Sequence, residues 1–240
     1  MHSKLLESKG LSNLIGGSEY DISFERKGVE VLTYVDEILQ NMKASPESIY
    51  YGKQAHGDNI EYCDGIRGID YPLGKIFDDT DGLITDKPNI ALVIKFADCT
   101  PVLLFDPVKK VQCCVHSGWR GTVKRISQRA IEKMCDEFHC KRENIHAFLG
   151  PDIDVENYEV GTEVYHAFSK FKNRDKFFIP YGQKYKLDMT LANLDILLGA
   201  GIKEENIEIS PFSTFLEPRL NSARRQKEEY RLNCIISIIP

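Results

Sequence analysis

Between residues 28 and 43, apolar side chains recur at Val31, Leu32, Val35, Ile38, Leu39 and Met42, the three-and-four spacing of an amphipathic helix. Further on the pattern tightens into short apolar runs. Ile90–Phe96, 101–105 and 111–116 each predict a buried strand, with Asp106-Pro107 marking the turn between the last two. Ile49-Tyr50-Tyr51 predicts another strand, running on into Gln54-Ala55-His56-Gly57. After Ser117-Gly118-Trp119-Arg120-Gly121-Thr122, the helical period returns with Ile126, Ala130, Ile131, Met134 and Phe138 on one face. A strand over 145–149 ends at Gly150-Pro151, and 160–171 has a helical pattern. Tyr185-Lys186-Leu187 predicts a short strand, with Asp188 placed to cap a helix over 189–199. Late strands follow at 207–210 and 234–239.

Strands and helices mix without strict alternation, and neither a G-x-G-x-x-G nor a Walker A pattern occurs. The expectation is an α+β protein with mixed sheets packed against helices. No repeat, low-complexity tract or Pro/Gly/Ser-rich linker divides the chain, so residues 1–240 are expected to form one domain. The formal net charge of −5 argues against a nucleic-acid partner but allows a local basic pocket for a small anion. No stretch approaches the ~18 apolar residues of a membrane helix, and no secretory block opens the chain. A soluble, cytoplasmic protein without a membrane partner is expected. The seven Cys are odd in number and follow no disulfide spacing, so reduced thiols are the expectation.

His56, Cys99 and His116 stand out, each at a strand end or in a tight segment. Two imidazoles and a thiolate suit Zn²⁺, and three protein ligands leave a fourth position open, as in catalytic zinc sites. Their spacing is no local zinc motif, and Cys99 as nucleophile with His116 as base stays open. Asp98 precedes the Cys; as a catalytic-site residue it would orient a histidine ligand, or it simply forms the turn. Arg120 lies between two glycines at a helix entrance, where a guanidinium and free N–H groups would hold phosphate. Cys114 shares a strand face with His116. Trp119, the only Trp, stacks a base or packs the turn, and Arg224-Arg225 bind phosphate or face solvent. His139, His146 and His166 have no partner pattern.

Together, Gln54-Ala55-His56-Gly57, Asp81-Gly82, Ala97-Asp98-Cys99-Thr100-Pro101 and His116-Ser117-Gly118-Trp119-Arg120-Gly121-Thr122 resemble the polyphenol oxidase or laccase-domain family. Leu149-Gly150-Pro151, Leu187-Asp188 with Asn193, and Ser222-Ala223-Arg224-Arg225 extend the likeness from about residue 10 to the end. The family's metal ligands fall on His56, Cys99 and His116. Its usual Cys-Thr pair is here Ser213-Thr214, and no Arg precedes Gly16-Gly17. The resemblance implies a zinc-dependent purine nucleoside phosphorylase with adenosine deaminase activity, acting on purine nucleosides and phosphate. Copper oxidation, as the older family name suggests, fits less well. A trinuclear copper cluster requires several more His, and the chain has six in all with no His-x-His pair.

Overall fold

The apolar runs become the centres of two six-stranded sheets. In the computed structural model, which describes residues 1–240, the first sheet has the order Ser12–Gly16, Asn233–Ile238, Ile90–Phe96, Ser48–Gly52, Gly74–Phe77, Ile69–Tyr71. The second has the order Ile207–Ile209, His146–Leu149, Thr100–Asp106, Val111–Ser117, Gly82–Thr85, Ile60–Tyr62. Both mix parallel and antiparallel pairs. A smaller antiparallel sheet, Glu159–Val160, Lys184–Leu187 and Phe178–Tyr181, stands to one side. The architecture is α+β, as the pattern predicts.

Alternate side chains of a strand point to opposite faces, and here both faces are covered. Leu92, Ile94 and Phe96 of the first sheet meet Leu83, Leu103, Phe105 and Cys114 of the second. On the outer side of the first sheet, Ala91 and Val93 meet Val31, Val35 and Ile38 of the helix Glu30–Asn41. On the outer side of the second, Val102, Leu104, Cys113 and Val115 meet Ile126, Ala130, Ile131 and Met134 of the helix Ile126–Phe138. The layers therefore run helix, sheet, sheet, helix. Burial on both faces is why these strands read as continuous apolar runs rather than as alternation. Each Leu or Ile fully buried this way contributes roughly 1.5–3 kcal/mol.

Three local expectations are corrected. The strand at Ile49 stops at Gly52, and 53–57 is a loop. A Cβ on Gly52 would lie 2.2 Å from the Thr80 carbonyl oxygen, so the chain passes at a distance only glycine permits. Beyond it, the backbone N–H groups of residues 55–57 bond a carboxylate instead of a neighbouring strand. The helix after Gly118 is two helices, Trp119–Val123 and Ile126–Phe138, parted at Arg125 with φ +60°. The Thr122 hydroxyl bonds the Gly118 carbonyl at 3.0 Å, a back-bond that bends helices. Over 160–171, only Thr162–Ala167 is α-helix, followed by a 3₁₀ turn at Phe168–Lys170. Phe168 there is fully buried against Phe171 and Phe178, and this packing overrides the helical period.

Asp188 caps its helix, Met189–Gly199, as expected: its carboxylate accepts from the Leu191 N–H at 2.7 Å. Such a cap is worth about 1 kcal/mol. The N-terminal strand Ser12–Gly16 was not marked by any apolar run. It pairs antiparallel with Asn233–Ile238, joining the two ends of the chain in one sheet. No helix is long and apolar enough to cross a membrane.

Candidate metal centre

The three candidate ligands come from a loop, a link between the sheets and a strand end that converge where the sheets meet. His56 lies in the loop after Ser48–Gly52, at φ +58°. Cys99 sits in the short link that carries the chain from Ile90–Phe96 in the first sheet to Thr100–Asp106 in the second. His116 is near the end of Val111–Ser117, where Thr100 and Ser117 are register partners. One donor atom from each lies within 4.8 Å of the other two. The imidazole centroids are 4.9 Å apart at 74°. His116 is buried, Cys99 half-buried and His56 exposed, so the cluster is open on one side.

A residue to which the sequence reading gave no role holds this arrangement. Asp81 is fully buried just before the strand Gly82–Thr85. Its carboxylate accepts from the backbone N–H groups of Ala55 (2.9 Å), His56 (3.1 Å) and Gly57 (2.7 Å). It also accepts from His116 Nδ1 at 2.8 Å. Burial works to raise its pKa, but the His116 and Gly57 donors outweigh it and hold the carboxyl below the ordinary value. With Nδ1 donating to Asp81, the Nε2 lone pair of neutral His116 is free to bind a metal.

Of the two readings of Asp98, orienting a histidine ligand or forming the turn, its contacts fit the second, and it is Asp81 that bonds His116. Asp98, at φ +87°, accepts from Thr214 Oγ1 at 2.6 Å and the Arg224 N–H at 2.7 Å. It anchors the turn before Cys99 to the C-terminal segment. Behind the ligands runs a buried polar chain. Asn193 accepts from Ser117 Oγ at 2.8 Å and donates to Thr100 Oγ1 at 3.4 Å, bridging the residues that follow His116 and Cys99. Thr100 donates onward to Asp152 at 2.6 Å. Burial raises the Asp152 carboxyl to about 7 against the opposing bonds from Thr100 and Thr190.

The donor set and the space suit a metal ion. Donors bound at 2.0–2.3 Å to a tetrahedral zinc stand about 3.3–3.8 Å apart, and the three donors here all lie within 4.8 Å of one another. A Cβ on Gly118 would lie 2.9 Å from Cys99 Sγ and 3.1 Å from His56 Cδ2, so glycine leaves room that any side chain would take. Burial pushes the Cys99 thiol up, but His116 and His56 beside it more than reverse this and favour the thiolate. Burial likewise works against charge on His116, and Cys99 and Asp81 raise its basicity above the ordinary value. Cys114 takes no part: it is buried between the sheets, and burial pushes its thiol far up.

The cluster lies in a cleft of about 670 Å³ whose walls include Trp119, Arg120, Tyr158 and Arg224. The Arg120 guanidinium lies 4.3 Å from the Trp119 ring centroid. The two neighbouring arginines have different surroundings. Arg224 reaches the cleft, 5.4 Å from the Tyr158 ring. Arg225 donates to the carbonyls of Thr214, Phe215 and Leu220 and so ties the 214–220 loop. His139, His146 and His166 do not line the cleft.

Replacing Asp81 by Asn keeps its shape but removes the charge that four donors share. Asp81→Asn is expected to weaken metal binding ten- to a hundredfold, and to destabilise the fold by roughly 2–3 kcal/mol. Chelator competition and urea unfolding measure the two effects. Unchanged metal affinity would mean that His116 is oriented by something else.

The chain is similar to several known proteins. The family model described as multi-copper polyphenol oxidoreductase laccase matches residues 21–238. A purine nucleoside phosphorylase from Bacteroides thetaiotaomicron is 30% identical over 198 residues, 78% of this chain and 72% of that protein. Adenosine deaminase RL5, from an unknown prokaryotic organism, is 35% identical over 130 residues, 53% of this chain and 49% of that protein. Among solved structures, hypothetical protein YfiH of Bacillus licheniformis gives a TM-score of 0.82 at 27% identity, covering 88% of this chain and 81% of that one. YlmD from Geobacillus stearothermophilus shares the fold, with a TM-score of 0.85 at 21% identity over 96% of this chain and 92% of that one. With its match running from residue 21 to 238, the chain belongs to the multi-copper polyphenol oxidoreductase laccase family.

Proposed function

We propose that the protein is a zinc-dependent purine nucleoside phosphorylase that also deaminates adenosine. The observation that carries this reading is the open His56–Cys99–His116 cluster in a cleft that also presents Arg120. The names of the relatives supply the substrate class, purine nucleosides, and phosphate as the second substrate. Zinc suits the donors better than copper. A blue-copper site adds a weak axial ligand such as Met or Gln to its two His and Cys; no Met lines this cleft, and the side chain of Gln54, which does, is taken up by the Lys95 main chain. The cleft holds two of the six His, too few for a trinuclear copper cluster.

His56, Cys99 and His116 would hold the zinc, which when bound supplies a Lewis acid able to bring the pKa of water to ~7. The chain's own groups do the rest. Arg120 offers two coplanar donors to phosphate oxygens and holds that nucleophile for attack at C1′ of the ribose. Trp119 and Tyr158 give the purine flat apolar walls and limit the entry of water. Arg224 adds positive charge where negative charge grows on the departing base. Asp81 keeps the His116 proton on Nδ1 and away from the ligating nitrogen.

A second reading rests on the sequence of contacts from Cys99 to His116 to Asp81, the order of nucleophile, base and orienting carboxylate. It describes a metal-free Cys–His hydrolase or deamidase. It leaves His56, and the space at Gly118, without a role.

Metal content separates the two. The purified protein is expected to hold about one zinc per chain, and Cys99→Ala to lose most of it. A thiolate and two neutral imidazoles bind the metal, so protons compete with it. Because His116 is more basic than usual, zinc retention on dialysis should fall steadily as pH drops. Zinc content equal in wild type and Cys99→Ala, or retention independent of pH, would reject this ligand set.

The reaction is tested by incubating adenosine, inosine and methylthioadenosine with and without phosphate, with products separated by chromatography. Phosphate-dependent release of purine base is expected, and inosine from adenosine without phosphate. Arg120→Ala should lose most phosphorolysis, at least tenfold, while keeping its zinc. Arg120→Lys should recover part of it, because an ammonium cannot bind two oxygens in one plane. Wild-type phosphate dependence in Arg120→Ala would remove Arg120 from the site.

A further inference from the structure

The cleft carries more positive charge than one bound phosphate accounts for. Lys53, Lys95, Arg120, Arg224 and Lys227 line it, against the carboxylates of Glu25 and Asp98, in a chain of net charge −5. Most of these charges have partners. Lys53 lies 3.6 Å from Asp78. Arg120 covers Trp119, and Arg224 donates to the Glu159 carbonyl at 3.0 Å. Asp98 is taken up by Thr214 and the Arg224 N–H.

Lys95 differs. It is half-buried near the end of the strand Ile90–Phe96, on the face opposite to Phe96, with Tyr230 and Leu232 also in the cleft wall. Its main-chain N–H and carbonyl are both bonded by the Gln54 side chain, at 3.0 and 2.8 Å. His56 is two residues beyond Gln54, so Lys95 and the metal cluster share one rigid frame. Its ammonium makes no hydrogen bond or ion pair, although the exposed carboxylate of Glu25 favours its charge. Burial lowers its pKa, the mark of a cation that has lost water without gaining a partner. An anion in the cleft would supply that partner.

Two sets of cations thus line one cleft: Arg120 with Arg224 around Tyr158, and the unpartnered Lys95 held by Gln54. A neutral nucleoside with free phosphate uses the first set alone. We propose that Lys95 is a second anion subsite of the cleft, taking the phosphate of a phosphorylated purine nucleoside, so that nucleoside monophosphates are ligands of this protein. The proposal rests on the nucleoside reading of the cleft.

Isothermal titration of the zinc-loaded protein with adenosine, adenosine 5′-monophosphate and orthophosphate tests it. The monophosphate should bind wild type about tenfold more tightly than adenosine, the scale of one charge-assisted hydrogen bond. That ratio should fall to about one in Lys95→Met and persist in Lys95→Arg. In wild type it should also shrink as salt rises, a readout that needs no variant. Equal affinity of wild type for adenosine and its monophosphate, or an unchanged ratio in Lys95→Met, overturns the subsite and leaves the nucleoside reading standing. If wild type binds orthophosphate but neither adenosine nor its monophosphate, the nucleoside reading falls and the nucleotide assignment falls with it.

Discussion

The Asp81 carboxylate has no exposed surface, yet it stays charged because four N–H donors surround it: three from the backbone of residues 55–57 and one from His116. Two otherwise unrelated pieces of chain meet on this group. One is a loop that left the first sheet at Gly52; the other is the end of a strand in the second. Removing a buried charge that satisfies several donors leaves each of them unpaired, which costs more than the bonds themselves contribute. The position of His56 and the tautomer of His116 thus share one cause. The left-handed backbone of His56, strained for a residue with a Cβ, is held by the same carboxylate.

The third donor depends on the way the sheets are joined. Cys99 lies in the link between them, so its thiol is placed by both sheets at once. Asp98 fixes one side of that link to Thr214 and Arg224. Asn193 fixes the other through Thr100 and Ser117, and Asn193 is itself held by a helix that begins at the Asp188 cap. The open face of the cluster is then free to meet the cleft, where the aromatic and cationic side chains stand.

How much of this is legible in the sequence follows from what each residue answers to. The central strands show themselves because two covered faces demand apolar side chains at every position. Ser12–Gly16 and the short strands between 60 and 77 stay hidden, since they lie toward sheet edges where polar residues are tolerated. His56, Cys99 and His116 stand out by residue type at strand ends. Asp81 does not: its segment, Asp78-Asp79-Thr80-Asp81-Gly82, has the composition of a polar turn, and burial separates Asp81 from the exposed carboxylates of Asp78 and Asp79. The signals available are a carboxylate directly before a short apolar strand and the place of Asp81-Gly82 among the segments that carry the family resemblance. Asp98 leaves two readings open in the sequence, and its contacts decide between them. It adjoins a ligand in sequence, but its positive φ turns the carboxylate toward the C-terminal segment. Arg224 and Arg225 are equivalent as letters and part ways only when the 214–220 loop wraps the second of them.

The central claim is that one sulfur and two imidazole nitrogens, brought together by Asp81, form a single metal site. X-ray absorption at the zinc edge of the zinc-loaded protein measures that donor set directly. One sulfur at about 2.3 Å and two imidazole nitrogens at about 2.0–2.1 Å are predicted, with a light atom completing the shell. A shell without sulfur, or one with two or more sulfurs, would contradict it.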